Sequence, residues 1–233
     1  MKILAINATY RPQQTTSRLT QAALEGAASQ GAATEMVLLK ELDIRYCTNC
    51  LTCYQDHKTG IGPCSQQDDT DMILEKIQAA DGVIFASPVH IGFVTGLMTV
   101  FFERIAWRLA RSTGEFMGIK GLPEPRLIDK ARAVATIVSA GTVPQEMRAY
   151  CDVGTPWLLE NGALYVNGSP VGDLYAGACF PRPLSHDEQR RALFFRELTA
   201  DQLAQAYQLG AAMAQAIKAG RVKPYTFSPP APA

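Results

Sequence analysis

Short aliphatic runs alternate with amphipathic stretches along this chain of 233 residues, and this alternation constrains its fold more than any other feature. Lys2 to Asn7 is aliphatic and leads into a polar loop, which is typical of a central strand. After Thr16 or Ser17, small apolar residues recur at helical spacing and predict a helix. The same patterns predict strands at 34–40, 83–86, 133–138 and from 164 onward, and helices at 70–80, 96–111, 145–159 and 199–219.

Five strands separated mostly by helices predict a parallel sheet covered on both faces, because parallel strands need right-handed crossover connections. The expected fold class is therefore α/β, a doubly wound three-layer sandwich. We expect one domain at 1–221, with a cysteine loop at 47–64 and irregular insertions near 112–130 and 171–190. The proline-rich tail at 222–233 is expected to be disordered or to wrap a neighbour.

The chain has equal numbers of basic and acidic residues, which argues against nucleic acid or a membrane surface as its partner. Lysine plus arginine and aspartate plus glutamate both number 22, so no net field attracts nucleic acid or an anionic membrane. The first apolar run is too short for a signal sequence, and no later stretch is long enough to span a membrane. We therefore expect a cytoplasmic protein whose partners are small molecules or other proteins.

Polar loops follow three of the predicted strands, after Asn7, Ser87 and Ser139. Ligands of doubly wound sheets bind at this edge, outside the carboxyl ends of the strands. The first loop offers hydroxyls, a guanidinium and amides at a helix N-terminus, which suits a phosphate, although helix capping alone explains such a loop equally well. Gly92 in the second loop lets a flat ring approach the backbone. Together the loops predict a site for a phosphate and a planar heterocycle.

A run of cysteines follows the second predicted strand. Cys47, Cys50 and Cys53 stand at CxxCxxC spacing, and Cys64 follows in the next loop. Three close thiolates and one more distant thiolate can hold an iron–sulfur cubane. Zinc lies more often between two separated CxxC pairs, and a disulfide needs only one pair. The spacing favours iron, while zinc and free thiols remain open alternatives.

The order of several segments resembles the NADPH-dependent FMN reductase family of flavodoxin-like proteins, and within it the iron–sulfur flavoproteins. The resemblance covers about residues 1–142 and is most specific from Cys47 to Arg104. The segments that carry it, in chain order, are the polar first loop, CxxCxxC, Asp68-Asp69, residues 80–85, Ser87-Pro88-Val89 and Phe101-Phe102-Glu103-Arg104. Taken by themselves, Glu103 and Arg104 are expected to form a surface or interface ion pair.

The resemblance implies a flavodoxin-like sandwich with a five-stranded parallel sheet in the order 2-1-3-4-5. It implies FMN as cofactor, NAD(P)H as an electron donor, and a homodimer or homotetramer. No side chain is expected to be catalytic, because N5 of the flavin carries the chemistry. The implied FMN phosphate ligands are Thr9, Arg11, Thr15, Thr16 and Ser17; the residues along the ribityl chain and ring are Ser87, Pro88, Val89, His90, Ile91 and Gly92, with Gly141 and Thr142 at its polar edge. The implied [4Fe–4S] ligands are Cys47, Cys50, Cys53 and Cys64.

Three functions are consistent with these patterns. The first is an iron–sulfur flavoprotein that passes electrons from NAD(P)H or a reduced carrier to a small-molecule or protein acceptor. The second is a cluster-free NAD(P)H-dependent reductase of FMN, quinones or nitro compounds. The third is an interaction domain in which zinc staples the cysteine loop and no flavin binds. A Rossmann dinucleotide site is excluded, since no GxGxxG follows the first strand.

Overall fold

The structure is a computed structural model that describes residues 1–227. The strands are β1 (Lys2–Asn7), β2 (Ala33–Leu38), β3 (Gly82–His90), β4 (Phe93–Val94), β5 (Ala110–Phe116), β6 (Ile119–Pro125), β7 (Arg132–Ser139) and β8 (Gly168–Ala176). The helices are α1 (Thr15–Ser29), α2 (Thr52–Gln55), α3 (Thr70–Ala79), α4 (Gly96–Leu109), α5 (Arg148–Cys151), α6 (Gly154–Val166), α7 (His186–Gln189) and α8 (Ala200–Lys218). Within residues 1–227, no helix combines the length and the apolar character needed to cross a membrane.

The central sheet pairs its strands in the order β2-β1-β3-β7-β8, and each of these pairs is parallel. Numbered among themselves, these five strands follow the predicted order 2-1-3-4-5, so the predicted fold class is confirmed. Strand β4 adds an antiparallel pair beside β3, and β5 with β6 forms a separate two-stranded sheet.

Each face of the sheet carries its own apolar layer. Alternate residues of β1 divide between the faces, so that Leu4 joins one buried cluster and Ile3 joins the other. The first cluster contains buried residues of α3, α4 and α6, and the second contains those of α1 and α8. This arrangement is the expected three-layer sandwich, and it leaves the strand ends free for loops.

Helices α1 and α8 approach to backbone contact. A Cβ on Gly210 would lie 1.7 Å from the carbonyl oxygen of Ala23, and a Cβ on Gly26 would lie 1.9 Å from that of Tyr207. Only a hydrogen atom fits at these two positions. The two glycines therefore set the spacing of the helices that cover this face.

The expected position of the fifth strand was wrong. Residues 164–166 form the last turn of α6, and the strand runs from Gly168 to Ala176 instead. Asn167 ends the helix with a φ of 54°, a left-handed conformation that asparagine tolerates. A short apolar triplet fits a buried helix or a buried strand equally well, so its pattern did not distinguish them.

Both insertions expected to be irregular contain regular structure. Residues 110–125 form the hairpin β5–β6, whose turn at Met117 and Gly118 has φ values of 49° and 80°. The turn lacks the Asn-Gly or Asp-Gly signal that would have predicted it. In the second insertion β8 continues to Ala176, and α7 lies further on. The helix expected at 145–159 is divided into a 3-10 turn, α5 and α6.

The beginning of the tail lies against its own chain. The backbone N–H of Lys223 donates to Oγ of Ser169 at 3.1 Å, and that of Tyr225 donates to Oδ1 of Asn167 at 3.2 Å. Residues 222–227 are therefore ordered against their own chain, whereas contact of the tail with a neighbour stays a prediction. The remainder of the predicted tail, 228–233, lies outside the described residues.

We predict that Gly210→Ala lowers the free energy of unfolding by about 2 kcal/mol. Overpacking against the Ala23 carbonyl costs about 3 kcal/mol, and alanine recovers about 1 kcal/mol in helix propensity. Gly60→Ala is the matched control, because a Cβ there meets nothing within 4 Å. Urea denaturation should place the control within about 0.5 kcal/mol of the unmodified protein. Equal stability of the two variants would contradict the close approach of α1 and α8.

Candidate functional site

The parallel register brings the carboxyl ends of the central strands to one edge of the sheet. Asn7 pairs with Ala86, and Ser139 pairs with both Pro88 and Ala176. The loops that follow these strands surround a cavity of about 330 Å³, which we call the rim pocket. Its lining residues are Thr9, Tyr10, Arg11, Gln14, Thr15, Thr16, Pro88, Val89, His90, Ser139, Gly141, Leu193 and Arg196.

Hydrogen bonds hold the first two loops in a fixed relation. The N–H of Ala8 donates to the carbonyl of Ala86 at 2.8 Å, and Oγ1 of Thr95 donates to the carbonyl of Ala8 at 2.9 Å. The N–H of Thr95 donates to Oγ of Ser87 at 3.0 Å. Thr95 also caps α4, since its side chain accepts from the N–H of Met98. These hydrogen bonds therefore hold the start of α4 and the ends of β1 and β3 together beside the pocket.

The N-terminus of α1 faces the pocket without a side-chain cap. Gln14 is the N-cap residue and its side chain accepts no backbone N–H, while Arg18 makes the first helical bond to the Gln14 carbonyl at 3.0 Å. The N–H groups of Thr15 and Thr16 precede that bond and have no acceptor within the helix. Oγ of Ser139 lies 2.8 Å from Oγ1 of Thr16, which ties the third loop to this helix end. The arrangement favours an anion.

An aromatic pair forms another part of the pocket wall. The rings of Tyr10 and His90 stack with their centroids 5.4 Å apart and an angle of 15° between their planes. On the other side, Leu193 approaches Gly141 so closely that a Cβ there would lie 2.7 Å from Cδ1 of the leucine. The pocket thus combines a polar end with apolar and aromatic surfaces, as small-molecule sites commonly do.

Arg196 brings a second guanidinium to the pocket. Its Nη2 donates to the carbonyl of Ala176 at 3.3 Å, while its buried Nε has no hydrogen-bond partner among residues 1–227. Burial lowers the pKa of the Arg196 guanidinium, and the positive charge of Arg11 acts in the same direction. Among residues 1–227, those that line the rim pocket include Arg11 and Arg196 but no aspartate or glutamate. The pocket therefore contains uncompensated positive charge.

Most of the residues predicted to bind a cofactor converge here, and five do not. Those in the rim pocket are Thr9, Arg11, Thr15, Thr16, Pro88, Val89, His90 and Gly141. Ser87 is fully buried and braces Thr95, and Thr142 is exposed beyond the pocket. Ile91 and Gly92 form the turn between β3 and β4, with φ values of 50° and 74°, and Ile91 points into solvent.

Ser17 lines a different and more open groove of about 840 Å³ between α1 and α8. Its Oγ accepts a 3.4 Å hydrogen bond from the Asn7 side chain. This groove is the larger cavity, but most of its lining residues belong to α1 and α8, and within the described chain Pro12 is the one residue that the three loops at the strand ends contribute to its lining. The rim pocket is therefore the better candidate site.

Five residues of the rim pocket were not predicted from the sequence. Tyr10, Gln14 and Ser139 lie inside the loops that were already singled out, so a wider choice within those loops would have included them. Leu193 and Arg196 come from the segment between β8 and α8, where no motif indicated a site. Only the folded chain brings that segment to the rim.

The four predicted metal ligands lie around a second, small cavity of about 30 Å³, which we call the cysteine cavity. Asn49 and Leu51 have φ values of 51° and 61°, and these left-handed residues turn the backbone around it. Within residues 1–227, no group of three or more His, Cys, Asp or Glu side chains is arranged to hold a metal ion. The residues lining the cavity include Cys47, Cys50, Cys53, Cys64, Arg104, Trp107 and Arg108.

The cysteines of this cavity differ in environment. Hydrogen bonds from Ser65 and Thr52 lower the pKa of the exposed Cys50 thiol to about 6. Burial raises the pKa of Cys53, with a smaller contribution from the neighbouring Cys64. A backbone N–H, from Asn49, points to Sγ of Cys47 at 3.4 Å. Thiolate character, which both metal binding and nucleophilic reactivity require, is therefore favoured most at Cys50.

Arg104 forms a buried ion pair, so the expected surface or interface pair with Glu103 was wrong. Its Nη2 lies 3.1 Å from Asp68, and both side chains are only 1% exposed. Nε and Nη1 of Arg104, and Nη1 of Arg108, have no partner in the described part of the chain. Arg108 also pairs with Asp71 and donates to the carbonyl of Gly62 at 2.9 Å. Two largely buried guanidiniums therefore adjoin the thiols.

The chain is similar in sequence to one known protein family and to several curated proteins. The family described as NADPH-dependent FMN reductase matches residues 1–168. The chain is 34% identical over 104 residues to an iron-sulfur flavoprotein of Methanocaldococcus jannaschii, covering 45% of this chain and 51% of that protein. It is 35% identical over 105 residues to an iron-sulfur flavoprotein of Methanosarcina thermophila, covering 45% and 52%. The chain spans about half the length of the curated relatives it matches.

Solved structures share the fold at low identity. An NAD(P)H:quinone oxidoreductase from Methanothermobacter marburgensis has a TM-score of 0.64 and 16% identity, covering 91% of this chain and 98% of that one. A flavone reductase has a TM-score of 0.59 and 24% identity, covering 95% and 64%. These similarities extend the common architecture beyond residue 168 to nearly the whole chain.

We predict that Arg104→Met lowers the free energy of unfolding by about 3 kcal/mol or more, because it leaves the Asp68 carboxylate buried without its cation. Arg45→Met removes a guanidinium that pairs with Asp43 at 3.5 Å, where both side chains are more than half exposed. That control should lose at most about 1 kcal/mol. Chemical denaturation compares the two variants, and similar losses would contradict the buried pair.

Proposed function

The chain belongs to the NADPH-dependent FMN reductase family, and from this premise we propose that it is an FMN-dependent oxidoreductase whose cofactor binds in the rim pocket. The observation that carries the proposal is the convergence of an uncapped helix N-terminus, two guanidiniums and a stacked aromatic pair in one cavity. The volume of about 330 Å³ lies within the range of small-molecule sites.

The polar end of the pocket suits the phosphate of FMN. The N–H groups of Thr15 and Thr16 lie at the positive end of the α1 dipole, and the exposed Arg11 lines the same pocket. Hydroxyls of Thr9 and Thr16 add donors there. Oγ1 of Thr9 already accepts from the N–H of Arg11 at 3.2 Å, which fixes the bend of this loop. The buried Nε of Arg196, without a partner in the described residues, is a second sign that an anion fits.

The ring of the flavin would lie between the loops after β3 and β7. Pro88 and Val89 give this part of the pocket an apolar surface, and His90 stacks on Tyr10 beside it. Gly141 presents backbone where a larger side chain would collide with Leu193. When bound, FMN supplies hydride acceptance and electron transfer. The residues of this chain hold the ring in place and limit the access of water, and no acid or base is assigned among them.

We further propose that the cysteine cavity holds a [4Fe–4S] cluster. The support is the common cavity of four thiols, their CxxCxxC spacing and the iron-sulfur flavoprotein names of the relatives. Cluster-bound thiolates are anionic, and the partnerless N–H groups of Arg104 and Arg108 can donate charge-assisted hydrogen bonds to them. Free, protonated thiols would leave these buried N–H groups without that negative charge.

As electron donor we propose NAD(P)H or a reduced carrier, and as acceptor a small molecule or a protein. Homodimer or homotetramer formation belongs to the same proposal. It is supported by apolar side chains exposed in the C-terminal segment and at the β3–β4 turn, where Phe194 is 83% exposed and Ile91 fully so.

We expect Arg11→Gln to weaken FMN binding about tenfold, because one charge-assisted hydrogen bond to the phosphate is lost. Arg18→Gln is the control, since Arg18 is also an exposed arginine near this loop but lies in α1 and lines the groove between α1 and α8. Quenching of flavin fluorescence gives both dissociation constants. Flavin-free protein that takes up no FMN would overturn the cofactor assignment itself.

After anaerobic purification, we expect about four iron and four sulfide per chain. Cys50→Ala should lose most of both, whereas Cys151→Ala should keep them because Cys151 lies outside the cysteine cavity. Iron and sulfide analysis with a visible spectrum measures this. A yellow protein without iron would favour the cluster-free reductase, and a colourless protein containing zinc would favour the zinc-stapled interaction domain. Unchanged iron in Cys50→Ala would contradict the ligand assignment.

A further inference from the structure

The segment between β8 and α8, residues 177–199, lies beyond the part of the chain that matches the family, which ends at residue 168. It nevertheless contributes Leu193 and Arg196 to the rim pocket. The family match therefore assigns no role to these two residues. Their contacts in the structure indicate what they do.

Several hydrogen bonds fix the base of this segment at the end of the sheet. The N–H of Ala178 donates to the carbonyl of Val143 at 2.8 Å, and that of Glu197 donates to the carbonyl of Cys179 at 2.9 Å. Nε2 of Gln202, in the first turn of α8, donates to the carbonyl of Gly177 at 2.8 Å. The two ends of the segment are thus joined beside the last residues of β8. Arg196 is one residue from this junction, so its backbone is well anchored.

The side chain of Arg196 is held but not neutralised. Nη2 donates to the carbonyl of Ala176, whereas Nε is buried and has no partner in the described chain. A second cation, Arg11, lines the same pocket. Burying a guanidinium near another positive charge is costly unless an anion joins them. The local arrangement is therefore incomplete without a negatively charged ligand.

We propose that Arg196 binds the phosphate of FMN, opposite the α1 N-terminus, and that the 177–199 segment thereby closes the rim pocket over the phosphate. This inference rests on the proposed function, since it assigns a residue to the same cofactor. A phosphate monoester carries nearly two negative charges at neutral pH, which Arg11 and Arg196 together would balance. Guanidinium groups suit this role because their N–H groups match the spacing of phosphate oxygens.

The comparison of FMN with riboflavin tests the proposal, because riboflavin has the same ring and ribityl chain but no phosphate. We expect Arg196→Gln to weaken FMN binding about 10–100-fold and to leave riboflavin binding unchanged. Arg196→Lys should recover part of the FMN affinity, since it restores the charge without the paired donors. Fluorescence quenching with flavin-free protein gives each dissociation constant.

Arg191→Gln is the control, since Arg191 is exposed in the same segment and does not line the pocket. It should bind both flavins like the unmodified protein. Circular dichroism and thermal melting establish that each variant is folded. If Arg196→Gln unfolds, Arg196→Lys carries the test, and its FMN affinity must fall while its riboflavin affinity does not.

Two results would overturn the inference while leaving the proposed function intact. One is FMN binding that is unchanged in Arg196→Gln. The other is an equal loss of FMN and riboflavin affinity, which would mean that Arg196 supports the pocket by packing. An unmodified protein that binds neither flavin would overturn the proposed function together with this inference.

Discussion

The parallel register of the central strands is the constraint on which the rim pocket depends. It places the ends of β1, β3, β7 and β8 at one edge, so that loops far apart in the sequence meet there. Hydrogen bonds then fix the loops relative to one another, through Ala8 and Ala86 on one side and Thr16 and Ser139 on the other. Because these contacts join backbone and short side chains, they leave little freedom for the pocket to change shape.

Helix α4 connects the rim pocket with the cysteine cavity. Its cap, Thr95, braces the loops of the pocket, and Arg104 and Arg108 line the cysteine cavity further along the same helix. With a rise of about 1.5 Å per residue, Thr95 and Arg104 are separated by about 14 Å along the axis. A movement at one site would therefore be transmitted to the other by a rigid element. Such a rigid connection would keep the proposed flavin and the proposed cluster at a constant separation.

Both sites contain buried guanidinium N–H groups without a partner in the described residues, at Arg196 in one and at Arg104 and Arg108 in the other. Such groups lower the stability of the folded protein unless they are offset. Arg104 is partly offset by Asp68, and Arg108 by Asp71, whereas Arg196 has only a carbonyl partner. The remaining donors concentrate positive potential where anionic groups are proposed. The two sites therefore share one property, which is buried positive charge that an anionic group would offset.

The sequence alone predicted the alternation of strands and helices, the three loops and the cysteine spacing, because aliphatic strands, polar loop residues and CxxCxxC are local patterns. The strand order followed from the resemblance to a known family, and the structure confirmed it. It could not place the fifth strand or the β5–β6 hairpin, since an apolar triplet and a Met-Gly turn are ambiguous without their neighbours. Three features were visible only in the tertiary structure. Ile91 and Gly92 lie in a turn outside the pocket, and Arg104 is buried in a pair with Asp68. Arg196 lines the same pocket as Arg11. The physical reason is that burial and pairing depend on contacts between segments distant in the chain, which no local pattern encodes.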